Sequence, residues 1–205
     1  MLPKLQTANI AGNALAQMVQ ARRLQNALAE QPRGSQTHQY NALAAFGGPT
    51  RAAASAADGG LASGIVSTAH SLGIDPLDLA TAISYETAGT FDPAKEGPTT
   101  QWGQHRGLIQ FGEPQAERYG VDWGDPVNTQ LGENGAVAKY LRDTGVRPGM
   151  GLLDIYSAIN AGGVGRYGAS DANNGGAPGT VRDKVEGQMA DHRRNALRLL
   201  STLNS

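Results

Sequence analysis

Cysteine is absent from the 205 residues, and that absence removes several classes of protein at once. No disulfide framework, thiolate metal site or cysteine nucleophile is available, so stability rests on packing alone. Charge of one sign is lacking too. The formal net charge is −1 and aromatics are sparse, which gives no strong field toward nucleic acid or an anionic membrane. No hydrophobic run approaches a transmembrane helix in length or purity. The start, Met1-Leu2-Pro3-Lys4, lacks the charged opening and continuous apolar stretch of a secretory signal, so export by a cleaved leader is not expected. The four histidines, His38, His70, His105 and His192, show no His-Glu-x-x-His spacing. No metal site or cofactor is expected, and neither a phosphate loop nor a nucleophile triad is visible.

What is present is one domain's worth of chain, with an appended segment. Residues 1–60 carry five basic side chains (Lys4, Arg22, Arg23, Arg33, Arg51) against Glu30 and Asp58, so the remainder holds four more acids than bases. Residues 11–30 read as a helix rich in alanine, leucine and glutamine. Leu15, Met18 and Val19 share one face of it while Leu24 and Leu28 lie roughly opposite, a pattern that needs contacts on two sides. Residues 31–60 have the composition of a linker or extended arm. The segment 1–60 is therefore read as an attachment or assembly arm, with a helix packed back on the domain as the equal alternative. The Arg22-Arg23 pair is too short to argue for nucleic acid.

From Leu61 onward the chain reads as mainly α. Leu61–Leu72 is a helix closed by Gly73. Asp75-Pro76-Leu77-Asp78 supplies an N-cap, a first-position proline and an acid in the first turn of the next helix, which Gly89 ends. Further helices are expected over Asn128–Thr144, Leu152–Ala161 and, from a Thr180/Asp183 capping box, Val181 to Leu203. Glycine-rich loops lie between them at 102–112 and 162–179. Gly107–Phe111 is the one stretch with a short hairpin signal.

Glu86 stands out within the second of these helices. Leu79, Ile83 and Glu86 fall at i, i+4 and i+7, which places a carboxyl on an apolar face. Burial without a cationic partner raises a carboxyl pKa, and a protonated glutamic acid near neutral pH is a general acid. The bland alternative is a glutamate near a helix end that turns out to solvent. Of the histidines, His105 is the one placed near a cleft, though a loop residue there is expected to be exposed, and His192 is expected to pack.

Three clusters in order carry a family resemblance. Tyr85-Glu86-Thr87-Ala88-Gly89-Thr90-Phe91-Asp92-Pro93 resembles the first motif of the soluble lytic transglycosylases, relatives of goose-type lysozyme, in which a catalytic Glu precedes Ser or Thr and a Gly-Phe-Pro turn. Gly107-Leu108-Ile109-Gln110 is similar to their Gly-Leu-Met-Gln motif, and Ser157-Ala158-Ile159-Asn160-Ala161-Gly162 to their Ala-Tyr-Asn-x-Gly motif. The resemblance covers about residues 61–200 and not the first 60. It implies a lysozyme-like domain over 61–205 behind the helical arm, acting on the glycan strands of peptidoglycan with Glu86 as sole acid and base. It also implies substrate contacts from Thr87, Gln110 and Asn160, with Gly107 admitting a close backbone approach. Phe111, Tyr156 and Tyr167 are candidate apolar faces against pyranose rings. Two departures stand out: Ile109 replaces methionine, and Ile159 replaces the tyrosine beside the asparagine. Tyr156, on the same side of that helix, is a replacement for the missing hydroxyl.

A wall-cutting domain with an arm and no leader suggests cargo delivered by a particle. A bacteriophage virion component acting at the host wall during genome entry is the first expectation, with residues 1–60 bound to other virion or secretion-machine proteins and a homo-oligomer in the particle also fitting. Two other readings stay open: a lysozyme-type hydrolase, for which Asp92 and Asp122 are the candidate second carboxylates, and a structural or binding module that keeps the fold.

Overall fold

The structure, a computed structural model, describes residues 51–204. The helix expected over 11–30, and the arm up to residue 50, lie outside the described residues. Helix α1 spans Arg51–Leu72, so residues 51–60, which composition assigned to the linker, are helical. Its end falls where expected: Gly73 takes a φ of +67°, and a Cβ there would lie 2.8 Å from Pro148.

Helix α2, Pro76–Glu86, opens as its sequence dictates, with the Leu77 amide donating to Asp75 Oδ1 at 2.8 Å. Asp78 does more than complement the helix dipole. Its Oδ1 pairs with Arg193 at 2.6 Å and its Oδ2 accepts from the Leu152 amide at 3.1 Å, which ties three helices at one point. Leu79 through Ser84 are all buried in succession. A helix buried all round is a central helix rather than an amphipathic surface one. It packs against α1, α6 (Leu152–Ala161) and α8 (Ala190–Ser201). The single apolar stripe expected for α2 is thus replaced by a full apolar jacket, and Glu86 reaches its place by being the helix's last residue.

A two-stranded antiparallel sheet follows, β1 Glu96–Thr100 and β2 Gly103–Arg106, with Thr99 opposite Gln104 and a register irregularity between Glu96 and Thr99. Gly107–Phe111, where a hairpin signal was read, is the turn beyond β2: the Arg106 and Phe111 amides and carbonyls exchange two 2.9 Å bonds around it. Helix α3, Glu113–Tyr119, was not expected. The helix expected over 128–144 is two, α4 Pro126–Gln130 and α5 Ala136–Asp143. Gly132 takes a φ of +92° in the break, and a Cβ on Gly135 would come within 2.5 Å of the Gln130 and Leu131 carbonyls. The last helix also divides, into α7 Val181–Gly187 and α8. The Thr180/Asp183 capping box opens α7 with bonds in both directions. One core joins these elements, with Ile65, Leu79, Ile83, Leu108, Val137, Leu141 and Ile155 buried in it. The fold is mainly helical, and no described helix is long and apolar enough to cross a membrane.

Candidate active site

The end of α2, the hairpin, the 107–111 turn, α6 and the segment after it enclose a groove of about 1020 Å³. Glu86, Gln110, Tyr156 and Asn160 all line it, so residues from three separated sequence clusters meet at one place. Backbone strain gathers nearby: Ala88 and Gln110, which line the groove, and Phe91, in the turn after Glu86, all have φ between 52° and 56°, unusual for residues other than glycine. Each costs about 1–3 kcal/mol, and such positions collect at functional sites.

Glu86 keeps part of its surface open to the groove. Its carboxyl pKa is nevertheless raised to about 7, mainly through desolvation. A hydrogen bond with the Tyr156 hydroxyl opposes the rise, the charge of Asp171 adds to it, and that of Lys184 subtracts. The carbonyl end of the α2 dipole also disfavours an anion at this position. A carboxyl poised at neutral pH can both give and take a proton.

Tyr156 is 1% exposed, so it offers no face to a ligand; its hydroxyl serves Glu86 and its ring packs edge-on to Tyr85 at 5.4 Å. Burial and the neighbouring carboxylate push that hydroxyl's pKa up, which keeps it a donor. Gln110 donates both amide hydrogens to protein, to Lys95 O at 3.1 Å and Gly107 O at 3.0 Å, and its Oε1 is buried without a partner. Gly97 makes room for that oxygen, since a Cβ there would overlap it. Asn160 donates from Nδ2 to Asp171 Oδ2 at 2.5 Å, and its Oδ1 is likewise buried and unpartnered.

Tyr156 is thus no apolar face for a ring, and four further expectations need correcting. Thr87 is fully buried and does not meet ligand: its hydroxyl donates to Ile83 O at 2.8 Å and accepts from the Phe91 amide at 3.0 Å, which fixes the turn after Glu86. Phe111 is 1% exposed and belongs to an aromatic cluster with Tyr119 and Tyr140, so it is no sugar platform. Tyr167 lies off the groove, with its hydroxyl bonded to Asp154 at 2.5 Å and Arg182 over its ring. The Cβ missing from Gly107 spares protein rather than sugar: it would sit 2.5 Å from Gln130 Oε1. His105 is half-buried on the groove wall, bonded to Thr100 Oγ1 and Gln110 O at 2.9 Å each. His192 packs as expected yet also reaches the groove, bonded to Ser84 Oγ at 3.0 Å, and burial lowers its pKa.

Several residues here escaped sequence reading. Gln130, fully buried, receives the Leu108 amide at 2.8 Å and donates to Pro93 O and Pro126 O, so it braces the turn that carries Gln110 against the turn that follows Glu86. Trp102, at the hairpin turn, is 58% exposed and lines the groove. An aromatic just before Gly103 in a polar stretch was the available signal. Asp171 and the buried Lys184 form an ion pair on the groove wall. Asp92 and Asp122 do not line the groove: each carboxylate is spent capping its own turn, on the Ala94 and Gly124 amides. Among the described residues no group of three His, Asp or Glu side chains is placed to hold a metal ion.

No family model, curated protein or solved structure matches the chain.

Proposed function

We propose that this protein is a peptidoglycan-cleaving enzyme of the lytic transglycosylase type, with a lysozyme-like domain. Glu86 first protonates the glycosidic oxygen between N-acetylmuramic acid and N-acetylglucosamine as the C1–O4 bond breaks. The resulting carboxylate then takes the proton of the same muramic acid's 6-hydroxyl as O6 bonds to C1, which closes a 1,6-anhydro ring. No water is consumed and Glu86 returns to its protonated form, so a second carboxylate is not required.

One observation carries the reading: Glu86 stands at the end of α2 on the groove wall with its carboxyl pushed up to about 7 by desolvation, and the groove's other carboxylates, Asp171 and Glu96, are not placed as its equal. Asp171 already has one oxygen on Lys184 and the other on Asn160, and Glu96 is an exposed strand residue. That supports transglycosylation over hydrolysis. The unpartnered oxygens of Gln110 and Asn160 suit the hydroxyl and amide hydrogens of amino sugars. Delivery by a virion or secretion machine, through residues 1–60, remains part of the proposal and is tested by looking for the protein in purified particles.

The enzymatic test is mass spectrometry of purified peptidoglycan digested by the wild-type protein and by Glu86→Gln. Muropeptides one water lighter than hydrolytic products, absent with the variant, are expected. Reducing-end products would make the enzyme a hydrolase. No products from either protein would leave a binding module.

A further inference from the structure

Lys184 is 1% exposed although it lies on a short helix whose sequence reads as surface: Val181-Arg182-Asp183-Lys184. Burying an ammonium is costly without a partner. Its Nζ pairs with Asp171 Oδ1, and the second oxygen of that carboxylate holds Asn160 Nδ2. The three side chains form a directed chain along the groove wall. A carboxylate only accepts, so it must face the NH₂ side of the Asn160 amide, and the carbonyl oxygen is turned away from it. That oxygen is buried and has no protein partner. An unmet buried acceptor is unfavourable, which makes this oxygen a place for a donor brought by a ligand.

We propose that Asp171, anchored by Lys184, is a positioning residue that locks the Asn160 amide with its oxygen reserved for an N–H or O–H donor of the bound saccharide. The ligand class rests on the function proposed above; the locking of the amide does not. The same Asp171 charge also acts on Glu86, so one ion pair adjusts both a binding group and the acid.

The logic is testable by exchanging the two side chains. In Asp171→Asn, Lys184 claims the new carbonyl oxygen, the new NH₂ group faces Asn160, and Asn160 must flip to present donors to the groove. In the double variant Asn160→Asp/Asp171→Asn, the NH₂ group meets a carboxylate, the charge balance with Lys184 is kept, and an acceptor faces the groove again. Affinity for an N-acetylglucosamine hexamer is measured calorimetrically in the full-length Glu86→Gln protein, which binds without turnover. Asp171→Asn is expected to weaken binding about tenfold, and the exchanged pair to restore it to within about twofold. Side-chain amide resonances of the ligand-free protein give a second readout, in which the Asn160 NH₂ signals are protected from exchange in the parent and lose that protection in Asp171→Asn.

Unchanged affinity and unchanged Asn160 signals in a folded Asp171→Asn protein overturn the proposal, as does a folded exchange variant that stays weak. Should Asp171→Asn fail to fold, the exchanged pair decides alone. A Glu86→Gln parent that binds no hexamer overturns the saccharide reading, while the amide signals still decide whether Asp171 positions Asn160.

Discussion

The two walls of the groove present the same chemical group by opposite means. On the 107–111 wall the Gln110 amide is held by neutral bonds to backbone carbonyls, and the turn beneath it is braced by Gln130. On the α6 wall the Asn160 amide is held by a carboxylate that is held in turn by a buried ammonium. Each wall ends in an oxygen without a partner. A neutral brace depends on shape and tolerates pH. A charged one depends on both partners staying in place, and it adds a field at Glu86 that the neutral wall does not supply.

The sharpest way to break this comparison is to remove one brace at a time. Asp171→Ala leaves the buried Lys184 ammonium uncompensated and is expected to cost about 3–5 kcal/mol in denaturant unfolding. Gln130→Ala strands the Leu108 amide and the Pro93 carbonyl, and should cost about 1–3 kcal/mol. Equal costs would mean that the charge on the α6 wall carries no special weight.

A second way is to vary pH. The Glu86 pKa is raised in the folded protein to about 7 from 4.5, so between these values the native state keeps a proton that the unfolded chain has lost. This group's contribution to stability is therefore complete below pH 4.5 and lost as pH climbs to about 7, with a total swing of roughly 3 kcal/mol. Glu86→Gln should remove that slope, so that the variant is the more stable protein above pH 7. A variant with the wild-type pH dependence would show that Glu86 is not the buried acid.

Tyr156→Phe sharpens the contrast by deleting only the hydroxyl that favours the Glu86 carboxylate. The Glu86 pKa should rise further, moving the alkaline limb of the cleavage profile to higher pH with little change in thermal stability. An unmoved limb would relieve Tyr156 of that role. The smallest effect is expected at Trp102, whose exposed ring on the groove wall would serve the proposed enzyme as a platform for a pyranose. Trp102→Ala should weaken glycan binding about tenfold, or ~1.4 kcal/mol, and leave unfolding unchanged. Unaltered binding would place the sugar elsewhere.

Legibility in the sequence followed range. The Asp75 cap, the Thr180 box and the Gly73 stop were readable because each acts within a few residues. The hairpin was not, because β1 has no apolar alternation and its side chains are mostly exposed; backbone pairing and bonds such as Thr99 to Gln104 hold it. The breaks at 131–135 and 188–189 interrupt apolar spacing that itself continues, so periodicity ran through them. The acid and both amides line the groove, whereas Thr87 is fully buried, Phe111 is held in the aromatic cluster and Tyr167 lies off the groove, since a residue type says nothing about which way its turn faces.

The order and identity of Glu86, Gln110, Tyr156 and Asn160, and the capped start of the helix that carries the acid, were determined by the sequence alone, because local hydrogen bonds and helix geometry act between near neighbours. Which atom of each amide remains free, what raises the Glu86 pKa, and that Lys184 is buried rather than solvated were decided only by the tertiary structure. Those properties depend on partners such as Lys95 and Asp171, and on the exclusion of water, which exist only once distant segments have packed together.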